Sequence, residues 1–240
     1  MVLARKRHYG LFCRGLEEAR HKRRRQRQFV KEGEFIHSAQ NVTGNHQDEH
    51  THLATQYIHL LCARMGLPKT ILETFANALT LYSCFRLLLH RELLTKKEKF
   101  SRYDRKLIND LPYKLAELTQ HFDYFSKERK MLLCQGERYD GSGYPEGLAG
   151  DDIPLASRIF SLADALAAMN SDRPHRKRLT PQEIMNHLEQ GAGTQWDPTL
   201  VLLTLDILGD QQLLPLDEDQ LAQTRSLISQ KIVQSSGHTQ

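Results

Sequence analysis

The sequence predicts an all-α protein, on three observations. Beyond residue 33, apolar residues recur at three- and four-residue intervals. The segments carrying that period are set apart by Gly, Pro and capping residues that stop and start helices. No alternating polar–apolar run is long enough to make a convincing strand.

The first element expected is a basic helix. Residues 1–32 hold eleven Lys or Arg against three Glu, a net of +8, so a chain of net charge +4 carries about −4 over its other 208 residues. The peak, "RHKRRRQR" at 20–27, has no proline and good helix formers. It reads either as a contact for polyanions such as nucleic acid or an anionic surface, or as a solvated connecting helix. No aromatic residues interleave with the cluster to stack on bases, and that favours the solvated helix. The expected divisions are a basic segment at 1–33, a helical domain at 34–208, and a C-terminal helix with a polar tail at 209–240.

The next helix is "THLATQYIHLLCARMGL", with Leu53, Tyr57, Leu60, Leu61 and Met65 on one stripe and Gly66 and Pro68 ending it. "KTILETFANALTLYSCFRLLL" is more thoroughly apolar and should be buried. Pro112 interrupts "SRYDRKLINDLPYKLAELTQHF", so a kink or break is expected there. "ASRIFSLADALAAMNS" puts Ile159, Leu162, Ala163, Leu166 and Met169 on one face. "TPQEIMNHLEQGAG" opens with a Thr cap, a first-turn Pro and a Glu three residues after the cap. "DPTLVLLTLDIL" opens with an Asp cap and the same proline.

Composition bounds the class. With 40% hydrophobic and 26% charged residues the chain is ordinary for a globular protein. No run approaches the ~18 apolar residues of a membrane span, and Arg5, Lys6 and Arg7 are not followed by the apolar core of a signal peptide. Four scattered cysteines without a CxxC pair fit reduced, buried thiols, so a cytoplasmic location is expected.

One stretch is not helical. "QGERYDGSGYPEGLAGDDIPLASRI", 135–159, packs Asp140, Gly141, Gly143, Tyr144, Pro145, Gly147 and Gly150 between two helices. Its "DGSG" can only be a tight turn, with glycines supplying positive φ. Ordered loops of this length are usually functional.

Its spacing resembles the signature of the HD-GYP family, phosphodiesterases of the HD superfamily that hydrolyse cyclic di-GMP on a cluster of metal ions. The similarity runs on through "ADALAAMNSDRPHRK" and "GAGTQWDPTLV", covering about residues 41–205. It implies an HD-GYP-like helical bundle with a long ordered Gly/Pro loop. It also implies a bed of His and Asp side chains holding two or three metals, with a metal-bound water as nucleophile.

This sequence departs from that bed at most positions. Tyr82 and Ser83 stand where the family has its His-Asp pair, and Arg86 stands for its Lys. Leu111-Pro112 replaces His-Pro, and Gln135-Gly136-Glu137 replaces His-His-Glu. Asp164 remains. A further family histidine corresponds to His46, by "VTGNH", or to His50, counting back from Tyr57; His52 and His59 lie nearby.

The resemblance therefore implies a catalytically inactive signalling module that binds cyclic di-GMP or a partner protein such as a diguanylate cyclase. Its regulation would arrive from a partner or a separate gene product. Arg173 and Arg176, in "SDRPHR", match the family's basic pair beside the substrate phosphates. Dipole complementation and solubility after a helix end are an equally good account of them. The expected ligand-binding residues are Arg173, Arg176, Asp164 and Glu137. Asp140, Gly141, Gly143, Tyr144 and Pro145 form the expected docking loop. No catalytic residue and no metal cofactor are expected. The alternative is a cyclic di-GMP phosphodiesterase with a rearranged iron or manganese site using His46, His50 and Asp164.

Overall fold

A computed structural model describes residues 49–94, 101–121, 125–172, 176–210 and 214–236. The basic segment at 1–33, His46 and Arg173 lie outside them. Among the described residues the helices are α1 (Glu49–Arg64), α2 (Lys69–Leu94), α3 (Arg102–Asn109), α4 (Leu111–Thr119), α5 (Ser126–Leu133), α6 (Leu155–Met169), α7 (Pro181–Gly191), α8 (Pro198–Asp210) and α9 (Glu218–Ser236).

The central contact is α1 against α6, and α9 lies along α8. Ile159, Leu162, Ala163 and Leu166 of α6 are fully buried, as their spacing predicts, and Met169 closes the stripe. Each large side chain removed from water in this way contributes about 1.5–3 kcal/mol. Helix α1 departs from expectation. Its buried face is His50, Ala54, Tyr57, Ile58, Leu61 and Cys62, while Leu53, Leu60 and Met65 are only partly buried at the margin. The buried stripe lies about one position from the expected one, because α1 has apolar residues on two adjoining faces and the position of α6 selects between them.

Local signals behave as local chemistry dictates. Pro112 falls in the first turn of α4, where its missing N–H costs nothing, and the chain breaks at Asp110 between α3 and α4. Thr180 and Glu183 form a full capping box at the start of α7. Asp197 accepts the Thr199 N–H at 2.8 Å to cap α8. In α2 the side chains of Phe75, Ala78, Leu79 and Leu81 are buried. In α9, Leu221 and Ile228 join the same core.

The Gly/Pro loop leaves α5 through a tight turn at Cys134–Gly136 and re-enters helix at α6 after a second turn at Gly150–Asp152. Gly141 has φ +79°, as the "DGSG" turn requires. Gly143 serves a different purpose from the one expected. A Cβ there would sit 2.2 Å from the Arg138 nitrogen and 2.6 Å from the Glu137 Cα, so it is close backbone approach that demands glycine. The Tyr144–Pro145 peptide is cis.

Candidate functional site

Two of the candidate residues, 114 positions apart in sequence, are brought together. His50, at the start of α1 and buried, donates its Nε2–H to the Asp164 Oδ1 of α6 at 3.0 Å. The other ring nitrogen, Nδ1, is buried and has no hydrogen-bond partner among the described residues. Asn170 at the end of α6 donates to the Tyr57 hydroxyl at 2.9 Å, tying the same two helices together. Burial pushes the Tyr57 hydroxyl above its ordinary pKa, and the Asn170 bond partly offsets that.

Around this pair, the side chains at the positions that the resemblance sets against the family's metal ligands are in packing contacts. The Tyr82 ring of α2 meets Phe160 of α6 edge-on, with centroids 6.1 Å apart and planes at 89°, a favourable aromatic geometry. Leu111 is fully buried in the core. At Gly136, a Cβ would fall 2.6 Å from the Tyr144 ring, so the loop's tyrosine lies over that backbone. Ser83 and Arg86 have side chains outside the described set. Among the described residues no three His, Cys, Asp or Glu side chains converge as a metal centre would need. Among the described residues the donors brought together are His50 and Asp164, fewer than a two- or three-metal centre takes.

Glu137 is engaged elsewhere. It is 4% exposed, and its two oxygens accept the backbone N–H groups of Glu146, at 2.7 Å, and Leu148, at 3.1 Å. The carboxylate is the internal brace of the loop. Asp140 makes an Asx turn, with its Oδ1 accepting both the N–H and the hydroxyl of Ser142, at 3.0 and 2.6 Å. These bonds, the hydroxyl's first, hold the Asp140 carboxyl below its usual range. Tyr144 is part-exposed and Pro145 half-buried, so the loop tip is a surface although its ring is seated.

Arg176 donates to the backbone carbonyl of Ala168 in the last turn of α6 and to that of Lys177, which is the helix-end role. Arg178, which no sequence motif singles out, links Glu49 of α1, at 2.9 Å, to the Asp172 carboxylate. A second missed residue is Arg158. Its guanidinium joins Asp151 of the loop, at 2.6 Å, to the buried Asp197, at 2.7 Å. The signal was present, since Arg158 and Asp197 both belong to the quoted motifs, but spacing does not reveal that they bond.

A sequence model described as the HD domain matches residues 34–200, well over half of the chain. The chain belongs to the HD domain family. Among the relatives of this HD-domain protein is a probable cyclic di-GMP phosphodiesterase of Vibrio cholerae. The two are 29% identical over 176 residues, 66% of this chain and 39% of the relative. The cyclic di-GMP phosphodiesterase response regulator RpfG of Xanthomonas campestris is 29% identical over 145 residues, 59% of this chain and 38% of that one. This HD-domain chain thus spans well under half the length of either. A solved structure of a cyclic GMP-AMP specific phosphodiesterase of V. cholerae superposes with a TM-score of 0.51 at 16% identity, over 74% of this chain and 48% of that one. It shares the all-α fold. Among the described residues no helix is long and apolar enough to cross a membrane.

Proposed function

We propose that this HD-domain chain is a cyclic di-GMP signalling module that acts by binding, either the dinucleotide or a protein partner such as a diguanylate cyclase, and does not hydrolyse it. The observation that carries this is the fate of the ligand positions. Tyr82, Leu111 and Gly136 are in packing contacts at positions where the resemblance would put imidazoles. Among the described residues no donors converge, and a chain without them would have neither a Lewis acid nor a metal-bound hydroxide, a loss of many orders of magnitude in rate. The preserved and internally braced Gly/Pro loop supports retention of the scaffold for recognition.

A second reading has its own support. The relatives are named phosphodiesterases, and the buried His50 Nδ1, without a partner among the described residues, would suit a single iron or manganese ion, with Asp164 holding the ring through Nε2. Two measurements on the purified chain separate them. Incubation with cyclic di-GMP and added Mn²⁺ or Fe²⁺ should yield no linear dinucleotide or GMP, and metal analysis should find no stoichiometric ion. Turnover that disappears in Asp164→Ala would establish the enzyme and end the binding-only proposal. Titration calorimetry with cyclic di-GMP then decides between the two binding modes. Heat at micromolar ligand identifies a sensor, and its absence leaves partner docking.

A further inference from the structure

An open cavity of about 860 Å³ lies between α3 and the tip of the Gly/Pro loop, lined by Arg102, Tyr103, Arg105, Lys106, Tyr113 and Tyr144, with Asp110 at the break between α3 and α4. Three cations therefore face the cavity against one carboxylate. The other acid on α3, Asp104, is turned away. It is buried and caps its own helix, accepting the Ser101 N–H at 2.7 Å while the Ser101 hydroxyl receives the Asp104 N–H. Among the described residues neither Arg102 nor Lys106 is ion-paired. The rings are on display as well. Tyr103 is 69% exposed, Tyr113 43% and Tyr144 38%, although tyrosine ordinarily buries most of its ring.

The sequence around this helix has the interleaving that residues 20–27 lack. "KKEKFSRYDRK", 96–106, sets Lys96, Lys97, Lys99, Arg102, Arg105 and Lys106 around Phe100 and Tyr103. Cations track a phosphate backbone, and exposed rings stack on unpaired bases. A small ligand is held in a site that encloses most of its surface. An open groove with three cations along one helix gains from a polymer, each phosphate adding a contact.

We propose that the groove between α3 and the loop tip binds single-stranded nucleic acid, with Arg102, Arg105 and Lys106 on phosphates and Tyr103 and Tyr144 stacked on bases. The site is separate from His50 and Asp164 and stands whether or not the chain handles cyclic di-GMP.

The test is fluorescence anisotropy on the full chain with labelled oligo-U and oligo-dT of about 20 nucleotides and a duplex of the same length, between about 50 and 200 mM salt. Single strands should bind more tightly than the duplex, and the oligo-U to oligo-dT ratio reports whether RNA or DNA is preferred. The double variant Arg102→Glu/Lys106→Glu should bind at least about tenfold more weakly. It should also lower the slope of log affinity against log salt by about 1.4, two contacts' worth for a single strand. Tyr103→Ala should lose about fivefold or more with the slope unchanged, the signature of a lost stack. All three side chains lie on the exposed face of α3, so melting temperatures should stay at the wild-type value and show that the variants fold. Equal binding of duplex and single strand, or unaltered binding by the groove variants, would overturn the proposal and assign any affinity to the basic segment at 20–27. Displacement of the strand by equimolar cyclic di-GMP would overturn it too, giving the groove to the dinucleotide.

Discussion

Removing the Glu137 carboxylate should loosen the Gly/Pro loop before it affects anything else. Glu137→Ala leaves the Glu146 and Leu148 amides without their acceptor. A hydrogen bond to a charged group contributes about 1.5–3 kcal/mol, which puts the upper bound near 3–6 kcal/mol for the two. Glu146 is exposed and Leu148 half-buried, so water reaches the freed amides and the expected cost falls to about 2–3 kcal/mol. For a domain of this size that is a drop in Tm of roughly 4–12 °C. Glu137→Gln should lie between, because its amide oxygen satisfies one N–H while its NH₂ faces the other. The assay is thermal melting by circular dichroism together with amide hydrogen exchange, in which protection should fall first at residues 146 and 148. If both variants melt with the wild type and those amides keep their protection, Glu137 is not the brace. A loss of cyclic di-GMP binding without any change in stability would instead make it a ligand contact.

Three further outcomes follow from the same geometry. Arg158→Met should destabilise by about 2–4 kcal/mol in denaturant unfolding, because it leaves the buried Asp197 without its cation; Asp151→Asn, at the exposed end of the same bridge, should change stability by less than about 1 kcal/mol, and equal effects would disprove the division. Burial pushes the Cys62 thiol up to about 11 and raises that of Cys134, so both should resist a thiol reagent at neutral pH until the protein unfolds; rapid labelling of either by mass spectrometry contradicts their burial. Asp140 has a folded pKa below its unfolded one, so its contribution is present above the unfolded value, about 3.9, and is lost as pH falls through the lower folded value. Exchange at the Ser142 amide should accordingly rise in acid relative to neighbouring loop amides, and Asp140→Asn should remove that dependence.

What the sequence determined by itself is what neighbouring residues decide among themselves. The Thr180–Glu183 box, the Asp197 cap, the break before Pro112 and the buried stripe of α6 all depend on chemistry within one or two turns, and each is present where its signal lies. The loop was legible for the same reason, as its glycines and prolines restrict the backbone locally, and its spacing carried the family with it. What only tertiary structure decided is which distant groups meet. His50 rather than His52 or His59 stands against Asp164 because α1 lies on α6 in that register, and the same packing selected the buried face of α1. The Glu137 carboxylate braces the loop because the chain folds back and brings the Glu146 and Leu148 amides to it. Tyr144 covers Gly136 because that backbone has no Cβ to hold the ring away. The groove beside α3 belongs to this second class. Its basic and aromatic residues were present in the sequence, but only the approach of the loop tip to α3 sets Tyr144 opposite them.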